Sequence, residues 1–241
     1  MYRPVTPAIV DALCHIVGPG DVLVDAEALQ RYSHDETVGL WAQPEVVARA
    51  TSTEQVSQVL KLAQRERIPV TPRGAGYGLS GGAVAVRGGI VLSTEKMNRI
   101  LEIDPRNLMV TVEPGVITGD IHRAVEAEGL FYPPDPASLD SCSIGGNVAE
   151  GAGGPRAVKY GTTRDYVCGL EAVLPSGEIV ALGGRLVGQR RVIHDCQRQP
   201  ERLGARSQQG LVRQHDNARG NHLLGKQHAQ IRTDAGGFTG S

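Results

Sequence analysis

The chain has 241 residues, 40% hydrophobic and 21% charged, with a formal net charge of -1, so it is long enough to bury a core as one large or two small domains. There is no run of about 18 apolar residues to span a bilayer, and Met1-Tyr2-Arg3-Pro4 leads into no signal-type apolar core, so a soluble, cytoplasmic protein is expected. Cys14, Cys142, Cys168 and Cys196 are scattered without C-x-x-C spacing, which argues against a zinc site or disulfide framework and leaves them as buried or incidental thiols.

Thr6-Pro7 reads as an N-cap with proline at the first helical position, and Ile9, Leu13 and Ile16 form one apolar stripe before Gly18-Pro19. Asp25 to Val38 is polar and reads as a loop, with His34-Asp35-Glu36 a surface turn: adjacent residues do not converge on one metal or acid/base point. A compact α/β pattern begins at Pro44. Val46-Val47-Ala48 is a strand, Ser52-Thr53-Glu54-Gln55 a capping box, and Val56, Val59, Leu60 and Ala63 the apolar face of the helix that follows. Strands are expected at Val70-Thr71, Ile90-Leu92, Ile100-Ile103 and Leu108-Glu113, the last two joined by the turn Asp104-Pro105-Arg106-Asn107.

Between the first and second of these strands lies Pro72-Arg73-Gly74-Ala75-Gly76-Tyr77-Gly78-Leu79-Ser80-Gly81-Gly82. Its glycines let backbone N–H groups face one anion without obstruction, which suggests a phosphate cradle. Gly76-x-Gly78-x-x-Gly81 also matches a dinucleotide fingerprint. The short, glycine-bounded Ala83–Gly89 that follows is no helix, so a Rossmann NAD site is not expected. A kinase-type loop fails as well, since Ala83 stands where that pattern wants Val.

Thr118 caps a second helix carrying Ile121, Ala124 and Val125, with Gly129 at its end. His122, on the polar side beside Arg123, reads as a solvated helix residue. The elbow Pro133-Pro134-Asp135-Pro136 leads to a second glycine cluster, Ser143–Gly154. Then come Tyr160-Gly161 and a β-hairpin of Cys168–Leu174 and Glu178–Leu182. Two glycine clusters about 70 residues apart imply two lobes presenting backbone to one extended ligand; a dinucleotide needs both and a single phosphate does not.

Pro72–Gly82, Pro134-Asp135-Pro136-Ala137-Ser138, Cys142–Glu150 and Gly153-Gly154 through Lys159-Tyr160-Gly161 together resemble the flavin domain of FAD-linked oxidases of the vanillyl-alcohol oxidase (p-cresol methylhydroxylase) type. Within that family the resemblance is to the glycolate oxidase FAD subunit and to D-lactate and D-2-hydroxyglutarate dehydrogenases, over about residues 20 to 187. It implies an α/β (α+β) fold: a PCMH-type FAD-binding domain at 44–187, of two small α/β subdomains (about 44–115 and 130–187), after an N-terminal helix and loop at 1–43. FAD would lie between the subdomains. Arg73, Gly74, Ala75, Gly76, Tyr77, Gly78, Leu79, Ser80 and Gly81 would take its pyrophosphate. Pro134, Asp135, Pro136, Ser138, Cys142, Ser143, Gly145, Gly146, Asn147, Ala149, Gly153, Gly154, Tyr160 and Gly161 would surround the ribityl chain and isoalloxazine.

The reaction implied is oxidation of a 2-hydroxy acid by hydride transfer to flavin N5, with electrons passing on to a quinone or to an iron–sulfur or cytochrome partner subunit. Tyr77 stands where the family usually has Thr, and Gly151 where it has Asn. The first loop lacks the His of covalently flavinylated relatives, so non-covalent FAD is expected. Arg156 and Lys159 are in reach of anionic groups near the flavin or are ordinary surface residues.

After Gly183-Gly184-Arg185-Leu186-Val187 the family pattern stops. Residues 1–187 carry net -6, whereas 188–241 carry net +5, with eight Gln, eight Arg, four His and nine Val, Ile, Leu or Phe. That composition buries little, shows no sustained helix or strand period, and reads as a disordered or frameshift-derived tail. Net charge alone would permit nucleic-acid binding, but Phe238 is the tail's sole aromatic, and His194, His215, His222 and His228 lack zinc spacing; neither nucleic acid nor a metal is expected. The family's substrate-binding half lies beyond this point, so no catalytic residue is assigned. The alternative to a working FAD domain is a non-catalytic fragment that does not retain FAD.

Overall fold

Pro7 opens α1 (Pro7–Val17) behind Thr6, whose backbone is extended, and Gly18 at φ 94° ends it. The computed structural model describes residues 2–183, with the backbone of 192–195 and 197–198, all within one unit. The expectations on Cys196, His215, His222, His228 and Phe238, and on the tail from residue 199 onward, lie outside the described residues.

Behind α1 come β1 (Val22–Leu23), α2 (Ala26–Gln30), β2 (Val46–Arg49), α3 (Thr53–Glu66), β3 (Val70–Arg73) and β4 (Ile90–Ser93). They form a four-stranded sheet in the order β1-β2-β4-β3, parallel except at β1. Alternation along β2 sends Val46 and Ala48 to one face and Val47 to the other. The first face is closed by Ile9 and Leu13 of α1 and by Val59, Leu62 and Ala63 of α3. On the second face, Val47 and Val91 meet Leu29, Tyr32 and Ala85. The α3 cap holds as expected at one end: Ser52 accepts the Gln55 amide at 3.3 Å. The other half of the box is displaced by one residue, because Gln55 Oε1 accepts from the amide of Thr51, at 2.8 Å, rather than from Ser52.

The second sheet is built from β5 (Ile100–Asp104), β6 (Met109–Val112), β8 (Val167–Val173), β9 (Ile179–Gly183) and β10 (Val192–Asp195), antiparallel in the order β5-β6-β10-β8-β9. Packed on it are α4 (Thr118–Ala127), β7 (Leu130–Phe131) and α5 (Ile144–Glu150); a short α6 (Ala157–Tyr160) follows. Val110, Val112, Ile121, Val125, Tyr132 and Ile144 make this second core. A mixed α/β chain with two sheets and two main cores agrees with the fold class expected.

Four expectations are corrected. The 188–241 segment does contain strand structure: β10 pairs with both β6 and β8, and β11 (Gln197–Arg198) pairs with β7. Asp25–Val38 is not simply a loop, since Asp25 caps α2 by accepting the Ala28 amide at 2.8 Å, and Tyr32, Ser33 and Asp35 are buried. Thr118 is not the cap of α4. Ile117 takes that position, and the Thr118 hydroxyl instead accepts from Asn147 Nδ2 at 2.6 Å. His122 is not solvated: it is 6% exposed, and its Nε2 donates to the Pro134 carbonyl at 2.8 Å, the one role a carbonyl partner permits.

Candidate functional site

Because β4 is inserted between β2 and β3, the chain leaving the carboxyl end of β3 must return to the start of β4, and the glycine loop makes that crossing. Gly76 (φ 82°) and Gly81 (φ 76°) supply the left-handed turns. A Cβ on Gly76 would collide with the Arg73 guanidinium, so the loop backbone rests directly on that side chain. Ala75 donates its amide to Ser143 Oγ at 3.2 Å. Among the described residues, the amides from Gly76 to Gly82 bond to no protein acceptor, so this run of donors is available to an anion.

The second cluster folds as α5, a helix in spite of Gly145 and Gly146. Close packing explains the first of them: Gly145 donates to the Pro114 carbonyl at 2.8 Å, and a Cβ there would sit 2.7 Å from the Pro114 Cβ. Asn147 is buried and fixed by Thr118, and Cys142, also buried, receives the Thr118 amide on its carbonyl at 3.0 Å. Gly151 ends α5 in the αL conformation (φ 66°).

These two clusters meet. Besides the Ala75–Ser143 bond, Ser80 Oγ donates to Glu150 Oε1 at 2.8 Å, and Ser143 Oγ fills the space a Cβ on Gly74 would need. A cavity of about 180 Å³ opens beside them, lined by Ala75, Glu95, Asn98, Gly115, Ile117, Asp120 and Ser143. A larger, mostly apolar cavity of about 710 Å³ lies elsewhere, between α3 and the second sheet, with Leu60, Met97, Leu101 and Val173 in its wall. The smaller one adjoins the junction of the two glycine clusters, with Ala75 and Ser143 in its wall, whereas the larger one has neither.

The remaining expected positions form two further stations. Pro134, Asp135 and Pro136 pack against Gly153 and Gly154: the Asp135 amide donates to Gly153 O at 3.0 Å, and Gly154 (φ 79°) lies against the Asp135 carbonyl. Ser138 closes the turn into Cys142 by accepting its amide at 2.7 Å. Ala152 joins this station to α5 through Asn147 O at 3.0 Å. Tyr160 belongs to an aromatic group instead, sitting edge-on to Phe131 at 5.8 Å, and Gly161 (φ 84°) lies against the Asp165 side chain. Tyr77, Leu79 and Ala149 are exposed. Arg156 pairs with Asp135 at 3.1 Å and lies over Phe131, and Lys159 lies over Tyr160.

Arg73, expected on the pyrophosphate, is 8% exposed and turned inward. It donates to the carbonyls of His34 at 2.8 Å, Arg31 at 3.3 Å and Ala83 at 3.4 Å, and stacks over the Tyr32 ring at 5.6 Å. Burial lowers its pKa, opposed by Asp35, Tyr32 and Glu95. Burial and the Glu95 carboxylate push the Tyr32 phenol up to about 12. For Asp35, burial acts upward, but bonds from Thr37 and the Ala83 amide and the charge of Arg73 outweigh it and hold the carboxyl below its ordinary value. Tyr32, Asp35, Glu95 and Thr118 were not among the expected site residues. No local signal marks them, since each reaches the site from another element.

A family described as FAD binding domain matches residues 44–183. Glycolate oxidase subunit GlcD of Bacillus subtilis (strain 168) is 45% identical over 182 residues, covering 76% of this chain and 39% of that protein. D-lactate dehydrogenase of Anaerostipes hadrus is 49% identical over 183 residues, covering 76% of this chain and 38% of that protein. The chain thus spans under two fifths of the length of these relatives. Among solved structures, 4-ethylphenol oxidase from Gulosibacter chungangensis superposes with TM-score 0.69 at 24% identity over 79% of this chain and 42% of that one. P-cresol methylhydroxylase superposes with TM-score 0.65 at 22% identity over 83% of this chain and 45% of that one. At these identities the two structures speak for the fold, and they agree with the architecture expected.

Proposed function

The chain belongs to the FAD binding domain family, whose cofactor is FAD, and on that premise we propose that residues 44–183 are the cofactor-holding part of a flavin-dependent oxidoreductase acting on a 2-hydroxy acid of the glycolate or D-lactate kind. The observation that carries this reading is the meeting of two glycine clusters across the Ala75–Ser143 bond, with unpaired amides from Gly76 to Gly82 beside it. The residues present fit the group: Gly74, Gly76 and Gly81 leave no room for a side chain, and what remains is backbone donor surface.

When bound, the flavin supplies an acceptor for the hydride on Cα of the hydroxy acid. The chain's own share is binding and orientation. Backbone amides of the first loop take the pyrophosphate, which needs no basic side chain. Gly146, which unlike Gly145 is not pressed against Pro114, allows close backbone approach along the ribityl chain, and the Pro134–Pro136 elbow, fixed by Gly153, Gly154 and Arg156, borders the ring. Attachment is non-covalent, in line with the absence of His from the first loop. The electron acceptor is a partner subunit of the iron–sulfur or cytochrome kind; the name of the Bacillus relative, a subunit, supports a multi-chain assembly.

A second reading, a chain that does not retain FAD alone, is favoured by the relatives' carrying more than half their length beyond the part matched. Titration of the purified chain with FAD, followed by gel filtration, separates the two. Flavin absorbance co-eluting with protein in stoichiometric amount is the expected result. A colourless protein, with no thermal shift on adding FAD, overturns the proposal in favour of the second reading.

A further inference from the structure

An arginine directly ahead of a phosphate cradle has an obvious partner in the phosphate, yet Arg73 gives its fork of donors to protein carbonyls on both sides of the loop. Those carbonyls belong to Arg31 and His34, which precede the matched domain, and to Ala83, where the loop ends. The same N-terminal segment grips the loop at further points. Glu36 donates its amide to Gly78 O at 3.0 Å, and a Cβ on Gly78 would lie 3.8 Å from Asp35 Oδ2. The Leu40 side chain occupies the space beside Gly81.

We propose that Arg73 and the segment Arg31–Asp35 form a positioning lock that holds the glycine-loop amides in the arrangement a pyrophosphate needs, with the guanidinium acting through protein carbonyls and not by pairing with the phosphate. This rests on the FAD reading above. The planar guanidinium serves several carbonyls at once and stacks on Tyr32, whereas a lysine ammonium is a point charge that cannot span them. The neighbouring Asp35 carboxylate offsets the Arg73 charge, so anion binding here depends on amide geometry more than on net charge. The lock places a functional part of the cofactor site ahead of residue 44, outside the matched domain.

The test compares Arg73→Lys with Arg73→Gln in the full chain, measuring affinity for FAD and for ADP, which carries the pyrophosphate without the flavin, at two salt concentrations. The expected result is a loss of about tenfold or more for both ligands in both variants, with the salt dependence unchanged. A lysine variant that binds within about twofold of the parent while glutamine fails would assign Arg73 to the phosphate and overturn the lock. Equal binding by all three proteins overturns it too.

Should either variant fail to fold, phenylglyoxal labelling of the unaltered chain, mapped by mass spectrometry, decides the matter. A locked Arg73 stays unlabelled with and without FAD. Labelling in the absence of FAD that FAD then blocks would show a phosphate ligand instead. A parent chain that binds no FAD defeats the functional reading, while the labelling pattern still reports separately on the lock.

Discussion

Ser143 Oγ accepts the amide hydrogen of Ala75 at 3.2 Å, so one side chain ties together two glycine clusters whose bonded residues lie 68 apart in sequence. Ser143→Ala removes that acceptor and leaves the Ala75 amide without it. A net hydrogen bond is worth about 1 kcal/mol, which corresponds to roughly fivefold in affinity. A fluorescence titration with FAD is expected to show this weakening, and unchanged affinity would mean the loop is held without Ser143.

Two glycines in the second cluster are left-handed but differ in their surroundings. Gly154 (φ 79°) lies against the Asp135 carbonyl, a backbone atom that cannot swing aside. Gly151 (φ 66°) has open space around it. Gly154→Ala is therefore expected to cost about 2–4 kcal/mol, from left-handed strain of about 1–2 kcal/mol plus the collision. Gly151→Asn is expected to stay within about 0.5 kcal/mol of the parent, since Asn tolerates the αL conformation. Urea denaturation of both variants checks the contrast.

The buried pair Asn147–Thr118 couples α5 to α4 through a 2.6 Å bond. Asn147→Ala leaves the Thr118 hydroxyl with fewer partners at a buried site. It should destabilise the chain by about 1–3 kcal/mol, read as a lowered thermal midpoint.

His122 carries a pH signature. Burial lowers its pKa below the ordinary 6.5, with Pro134 O, Glu126 and Asp135 acting upward and Arg156 downward. A depressed native pKa means that the unfolded chain takes up the proton first. The stabilisation from neutral His122 is therefore complete above pH 6.5 and is lost as the pH falls below it, through the native pKa. His122→Gln keeps a donor for Pro134 O without titrating, so its stability should fall less over that interval. Parallel pH–stability curves for parent and variant would remove His122 as the cause.

Strand β10 lies between β6 and β8, pairing with Val110, Val112 and Val167 among others. Ending the chain after Gly183 exposes two strand edges inside the second sheet. The shortened protein is expected to unfold at lower urea and to aggregate more readily. Identical midpoints would show that residues 184–241 add nothing to the fold.

Helices α1 and α3 and the strands β2 to β6 were legible because each is announced locally: Thr6-Pro7, the Ser52 cap, a 3.6-residue apolar stripe, and short β-branched runs. The glycine loop was legible for the same reason. The α5 helix was not, since Gly145 and Gly146 argue against a helix until Pro114 is known to press on Gly145. β10 was also missed, because the polar composition around Val192–Asp195 outweighs a four-residue strand in any window average.

By itself the sequence determined that two glycine clusters, in this order, leave backbone bare of side chains. Glycine's permissive φ and missing Cβ are properties of the residue wherever it stands. Only the tertiary structure decided what Arg73, Asp35 and His122 do. Their partners, the carbonyls of Arg31, His34, Ala83 and Pro134 and the amide of Thr37, are groups nearly every residue carries, so no sequence pattern distinguishes them. Whether a charged side chain meets solvent, a ligand or a buried carbonyl is set by how the chain crosses itself, and here β4 slipping between β2 and β3 folds the loop back over Arg73.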